Sequence, residues 1–366
     1  MSVSERFQRL VRGAPWLWIE TPTRAAAAAV AAIAAFSLVV AFEWSQPWRL
    51  LAAARPAPHA APDTRLLSAL ALTDVTPVDT VILVGGSSAR EFPASDSHLS
   101  RVLSARCGRP IRFINGGTSS QTFAESWAIA EAVRDDRRRL VVVGMNYSRF
   151  EEGAAEVSRD LRTPLLPLRQ PATLKRAVAD VGGSSPMGAG PGLTQSSWLL
   201  HRLDEVTFQD APESFRAFIA RSDGASPWQG PDNVYRAPPL DAERKADIVR
   251  RMQAEQLPLY AARRGEALAL WLAFLRRFDR PGSEVLLLAL PESASMAPLN
   301  ARAGAAFAAD LAVLERHGGR VADWRTSHGL AEADFYDQQH LLESGRRKIE
   351  PRFVELLTSA LPACSP

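Results

Sequence analysis

The sequence predicts an α/β protein built on a doubly wound parallel sheet. Short, wholly apolar runs recur along the chain, helical stretches separate them, and the runs stop at glycine, serine or asparagine. A strand buried on both faces reads as a continuous apolar run. Strands that alternate with helices imply parallel crossovers. Ligands of such sheets bind beyond the carboxyl ends of the strands, so those ends are the places to look for chemistry.

Ahead of the first strand lies a segment of different character. Residues 1–24 carry Arg6, Arg9, Arg12 and Arg24, and the 18 residues from Ala25 to Phe42 hold no charge. As a helix they measure about 27 Å, enough to cross a hydrocarbon core. Phe42, Glu43 and Trp44 stand where a small-x-small cleavage site belongs, which favours an uncleaved anchor over a signal peptide. The arginines place residues 1–24 in the cytoplasm and the remainder outside it. Trp44 and Trp48 suit an interfacial belt, and Ala52 to Asp63, with Pro56, Pro58 and Pro62, reads as a stiff linker. The expected organisation is a cytoplasmic N-terminus (1–24), a transmembrane helix (25–42), a linker (43–63) and an extracytoplasmic domain (64–366).

Within that domain Asp79 to Val84 is the first strand, followed by Gly85-Gly-Ser-Ser88. Glycine permits the sharp turn at the strand end, and Ser88 is the candidate nucleophile. The same Val-Gly-Gly-Ser-Ser recurs at 181–185 after Asp180 instead of a strand and reads as a loop. Ile111 to Asn115 is a second strand entering Gly116-Gly-Thr-Ser-Ser-Gln-Thr122. A helix with Phe123, Trp127, Ala130 and Val133 on one face follows, with Ser119 or Ser120 as its N-cap. Leu140-Val-Val-Val-Gly-Met-Asn146 is a third strand, again ending in a glycine and an amide. From 151 to 239 Pro, Gly and Ser mix with isolated aromatics, and Trp198, His201, Phe208, Phe215 and Trp228 suit a local core or a groove. Helical pattern returns from Asp241 to Phe278 with an interruption at Pro258. Glu284 to Leu290 and Arg320 to Trp324 are the fourth and fifth strands, separated by an Ala-rich helix over 301–317. The chain closes with Asp337-Gln-Gln-His340 and a helix containing Ile349, Phe353 and Leu356. A carboxylate three residues from an imidazole can fix its tautomer and leave the other ring nitrogen to face a nucleophile.

Composition removes other classes of function. The net charge of +3 arises from 43 basic and 40 acidic residues spread along the chain, with lysine only at 175, 245 and 348. No basic stripe marks a nucleic-acid surface. Cys107 and Cys364 lack metal-ligand spacing, and nothing in the sequence asks for a metal or cofactor; the two thiols either form one bridge in an oxidising compartment or remain free.

Taken in order, Gly86-Ser-Ser88, Asn115-Gly-Gly117, Gly144-Met-Asn146 and Asp337-Gln-Gln-His340 resemble the four blocks of the SGNH (GDSL-like) hydrolase superfamily. The resemblance covers about 79–360 and leaves an unmatched insertion at about 150–280. With the anchor, it is most similar to the envelope members that assist D-alanylation of teichoic acids and to alginate-type polysaccharide O-acetyltransferases. Ser87 stands where many superfamily members have Asp. The resemblance implies a flavodoxin-like SGNH fold and a Ser88, His340 and Asp337 triad. It also implies an oxyanion hole made by the backbone of Ser88 and Gly117 and the amide of Asn146. It implies an extracytoplasmic acyltransferase in the cytoplasmic membrane, needing no cofactor, that partners a multi-pass membrane-bound O-acyltransferase and modifies a polysaccharide or other envelope polymer. An anchored carbohydrate esterase or deacetylase, and a non-catalytic polymer-binding or scaffold subunit, are the alternative expectations.

Overall fold

A computed structural model describes residues 78–133, 137–161, 171–183 and 238–361, except 94 and 119, together with Cys364 and a few isolated positions nearer the N-terminus. All five expected strands form: β1 (Asp79–Val84), β2 (Ile111–Asn115), β3 (Arg139–Met145), β4 (Ser283–Ala289) and β5 (Arg320–Asp323). They make one parallel sheet in the order β2-β1-β3-β4-β5. Because β1 and β3 are adjacent and β2 lies outside β1, the chain reverses its direction of travel across the sheet after β2. The crevice of such a sheet opens where that reversal separates the strand ends.

The helices are α1 (Ser87–Arg90), α2 (Asp96–Cys107), α3 (Phe123–Ala132), α4 (Ala154–Asp160), α5 (Ala172–Asp180), α6 (Ala242–Phe278), α7 (Ala297–Arg316) and α8 (Glu343–Ala360). Strand side chains alternate between faces. On one face Val81, Leu83, Phe113, Leu140, Val142, Leu286 and Leu288 pack with Leu99 and Leu103 of α2 and Ile349, Phe353 and Leu357 of α8. The alternate residues Ile82, Val84, Val141, Val143, Val285 and Leu287 are equally buried. An aromatic layer of Phe123 and Trp127 from α3 and Trp271, Phe274 and Phe278 from α6 holds those helices together through edge-to-face contacts.

Three local expectations need correction. Thr122, not Ser119 or Ser120, caps α3. Its hydroxyl accepts from Glu125 N–H at 3.2 Å while the Glu125 carboxylate accepts from Thr122 N–H at 2.9 Å. Thr-x-x-Glu is a capping box, which satisfies two helix-end donors together. The helical pattern does not break at Pro258, since α6 runs unbroken for 37 residues. Pro258 removes one donor, but buried Val249 and Met252 anchor the first half and Trp271 and Phe274 the second. The Ala-rich helix α7 begins at Ala297, four residues earlier than expected.

Of the expected span at 25–42, only Val30, Ile33, Ala34 and Ser37 are described, each helical and exposed; the rest lies outside the described residues. Among the described residues no helix is long and apolar enough to cross a membrane. Ser184 and Ser185 of the repeated glycine motif, and Trp198, His201, Phe208, Phe215 and Trp228, also lie outside them. Cys107, at the end of α2, and Cys364, beyond α8, form a disulfide.

Candidate functional site

The site is assembled at the carboxyl ends of β1, β2, β3 and β4. Gly85 leaves β1 with φ +149°, and a side chain there would bring its Cβ within 2.6 Å of the Ala89 methyl. Glycine is therefore needed for α1 to fold back against the strand. Gly117 passes so close to Arg90 that a Cβ would lie 2.7 Å from the Arg90 backbone. The two glycine turns are joined by one side chain. Gln121 accepts from Gly85 N–H at 2.6 Å and donates to Gly116 C=O at 2.7 Å. Gln121 is buried, and its backbone carbonyl accepts from the Arg149 guanidinium at 2.7 Å. Its place in the sequence, inside a polar turn, gave no sign of this role.

The closing Asp337–His340 segment is a tight loop. An isolated bridge pairs Phe335 with Leu341, Tyr336 N–H donates to His340 C=O, and Ser293 N–H, just past β4, donates to Gln338 C=O. Asp337 Oδ1 accepts from the backbone N–H groups of Gln339 and His340, each at 2.9 Å. Its Oδ2 accepts from His340 Nδ1 at 2.7 Å. His340 Nε2 lies 2.9 Å from Ser87 Oγ. Because Nδ1 faces a carboxylate, it carries the proton, and Nε2 is the nitrogen that accepts from the serine hydroxyl.

This hydrogen-bonded relay corrects the choice of serine. The sequence points to Ser88 as the nucleophile, but the imidazole meets Ser87. Consecutive residues on a helix point about 100° apart, so only one of the pair can face His340. Ser88 is instead buried beneath α1 while Ser87 stays partly exposed.

No protein-family model matches this chain, and no curated protein does.

Burial acts to lower the His340 pKa, but the hydrogen bond and charge of Asp337, helped by Glu91, outweigh it and raise the pKa above its usual value; Arg90 opposes them. Burial likewise pushes Asp337 up, and the hydrogen bonds from His340 and the two backbone amides bring it below the usual carboxylate range. Both shifts favour a proton arriving on the ring beside an ionised Asp337.

The predicted oxyanion donors fare differently. Ser88 N–H lies in the first turn of α1, where no intrahelical acceptor exists. Gly117 N–H already donates to Asn115 Oδ1 at 3.1 Å, within its own turn, so that expected donor is engaged. Asn115 also donates to Arg90 C=O at 2.6 Å, which ties the end of β2 to α1. Asn146, just past β3, accepts the Ser148 hydroxyl on Oδ1 at 2.6 Å.

Beside the loop, at the end of β4, Glu292 accepts from Asn300 Nδ2 at 2.8 Å. Burial pushes its carboxyl up to about 7. Among the described residues no cluster of His, Cys, Asp and Glu is arranged to hold a metal ion.

Proposed function

We propose that this chain is a membrane-anchored, extracytoplasmic serine acyltransferase of the SGNH type, which modifies an envelope or exported polysaccharide through an acyl-Ser87 intermediate. The observation that carries this reading is the Asp337–His340–Ser87 relay at the carboxyl ends of a parallel sheet. A serine, an imidazole and an orienting carboxylate in that sequence of contacts are what nucleophilic acyl transfer requires.

Ser87 Oγ attacks the acyl carbonyl as His340 Nε2 takes its proton. The imidazolium returns that proton to the leaving oxygen, and the acyl group remains on Ser87. An acceptor hydroxyl then gives its proton to His340, attacks the ester and releases Ser87. Asn146 Nδ2 and the backbone N–H at the start of α1 are the donors offered to the oxyanion. The disulfide suits an oxidising compartment, and the arginine-rich leader before an uncharged stretch suits an anchor. Placed there, the domain would receive acyl groups from a multi-pass membrane-bound O-acyltransferase. An anchored esterase would use the same steps with water as acceptor.

The test is intact-mass spectrometry after incubation with an activated acetyl ester. Wild type and Ser88→Ala gain one acetyl group, and Ser87→Ala gains none. Discharge by added glycan marks a transferase, and discharge by water an esterase. A folded wild-type protein that never acquires an adduct overturns the reading in favour of a binding or scaffold subunit.

A further inference from the structure

Glu91 lies four residues beyond Ser87, one helical turn along, and its N–H donates to Ser87 C=O at 2.9 Å. Its side chain is almost fully buried. Oε1 accepts from Arg90 Nη2 at 2.8 Å. Oε2 is buried with no hydrogen-bond partner among the described residues, yet lies 3.9 Å from His340 Nε2. A carboxylate oxygen left buried and unpaired is costly. Here it sits beside the ring nitrogen that faces the serine hydroxyl.

We propose that Glu91 is a second carboxylate partner of His340, set on the Nε2 side of the ring while Asp337 holds the Nδ1 side. This rests on the acyl-transfer reading. When Nε2 takes the Ser87 proton, the imidazolium lies between two carboxylates, and Glu91 acts as a positioning residue through His340. The positive charge is met from both edges of the ring, and the ring keeps its aim when the serine oxygen leaves for the acyl carbon.

Arg90 pairs with Glu91 from α1, Arg346 acts on it from α8, and the closing loop contributes Asp337 and His340. Burial pushes the Glu91 carboxyl up, and His340, Arg90 and Arg346 pull it back. A proton on the imidazole therefore favours the ionised form of Glu91.

The experiment is a ¹⁵N-histidine NMR titration of His340 in the full chain carrying Ser87→Ala, read alongside the pH profile of acylation in the Ser87 protein. Glu91→Gln lowers the His340 midpoint by about one pH unit and moves the acid limb of acylation in the same direction. An unchanged midpoint in Glu91→Gln overturns the proposal. Should that variant not fold, Glu91→Asp carries the test: the shorter side chain draws the carboxylate back from Nε2, the midpoint falls, and an unchanged midpoint overturns the proposal. Because the titration is read without acylation, a shifted midpoint with no adduct on Ser87 would sink the acyl-transfer reading while the Glu91–His340 pairing stands.

Discussion

Ser87 and Ser88 are the same residue type in the same turn, and a hydrogen bond to a histidine 253 residues away distinguishes them. At this scale the roles are separable by single substitutions. Asp337→Asn keeps the loop's shape but replaces the acceptor of His340 Nδ1, so the acylation rate should fall by about 10⁴ with the fold intact. A burst assay with an activated ester would read this, and a fall of less than tenfold would show that the aspartate does not orient the base. Glu292 gives a prediction on stability. Its carboxyl is pushed from 4.5 to about 7 by burial, so the folded protein holds a proton that the unfolded chain releases. The associated stability is fully present below about 4.5 and is lost as pH rises through about 7. The loss is on the order of 3 kcal/mol. Glu292→Gln should flatten that part of the pH dependence in chemical denaturation. Glu151 is also pushed up to about 7, and its contribution should remain in the variant.

At the scale of elements, the site depends on two glycine turns that neither β1 nor β2 could hold alone. Gln121 ties them together from the start of α3. Gln121→Leu leaves Gly85 N–H and Gly116 C=O buried without their partner, at about 1–3 kcal/mol for each unsatisfied group. The expected result is a lower melting temperature together with slower acylation, since Ser87 is aimed by the turn that Gln121 holds. A variant that lost stability but acylated at the wild-type rate would separate the turn from the site. The Thr122–Glu125 box was present in the sequence as Thr-x-x-Glu and could have been read there. Gln121 could not, because its partners are backbone groups in the turns that follow two different strands.

Across the whole molecule, the disulfide joins α2, which follows β1, to the tail beyond α8, closing 257 residues of chain. Both ends lie on the same face of the sheet, where α2 and α8 pack on a shared apolar cluster. Constraining so long a loop in the unfolded state is worth about 2–5 kcal/mol. Cys107→Ser with Cys364→Ser should lower stability by that order, and a reducing agent should do the same to the wild type but leave the double variant unchanged. A wild-type protein whose unfolding midpoint ignores reductant would show that the bridge bears no load.

The sequence by itself determined the five strands, their parallel arrangement and the polar groups at their ends. Those features follow from local chemistry: continuous apolar runs are buried on both faces, and glycine turns the chain where the runs stop. The Asp337-x-x-His340 spacing was legible for the same reason, because both residues belong to one tight loop. Only the tertiary structure decided which serine meets His340, that Gly117 N–H is already engaged, and that Gln121 and Glu91 belong to the site. It also decided between a bridge and two free thiols. Each of these depends on where a side chain points after remote segments have packed, and packing directions are set by the whole core rather than by neighbouring residues.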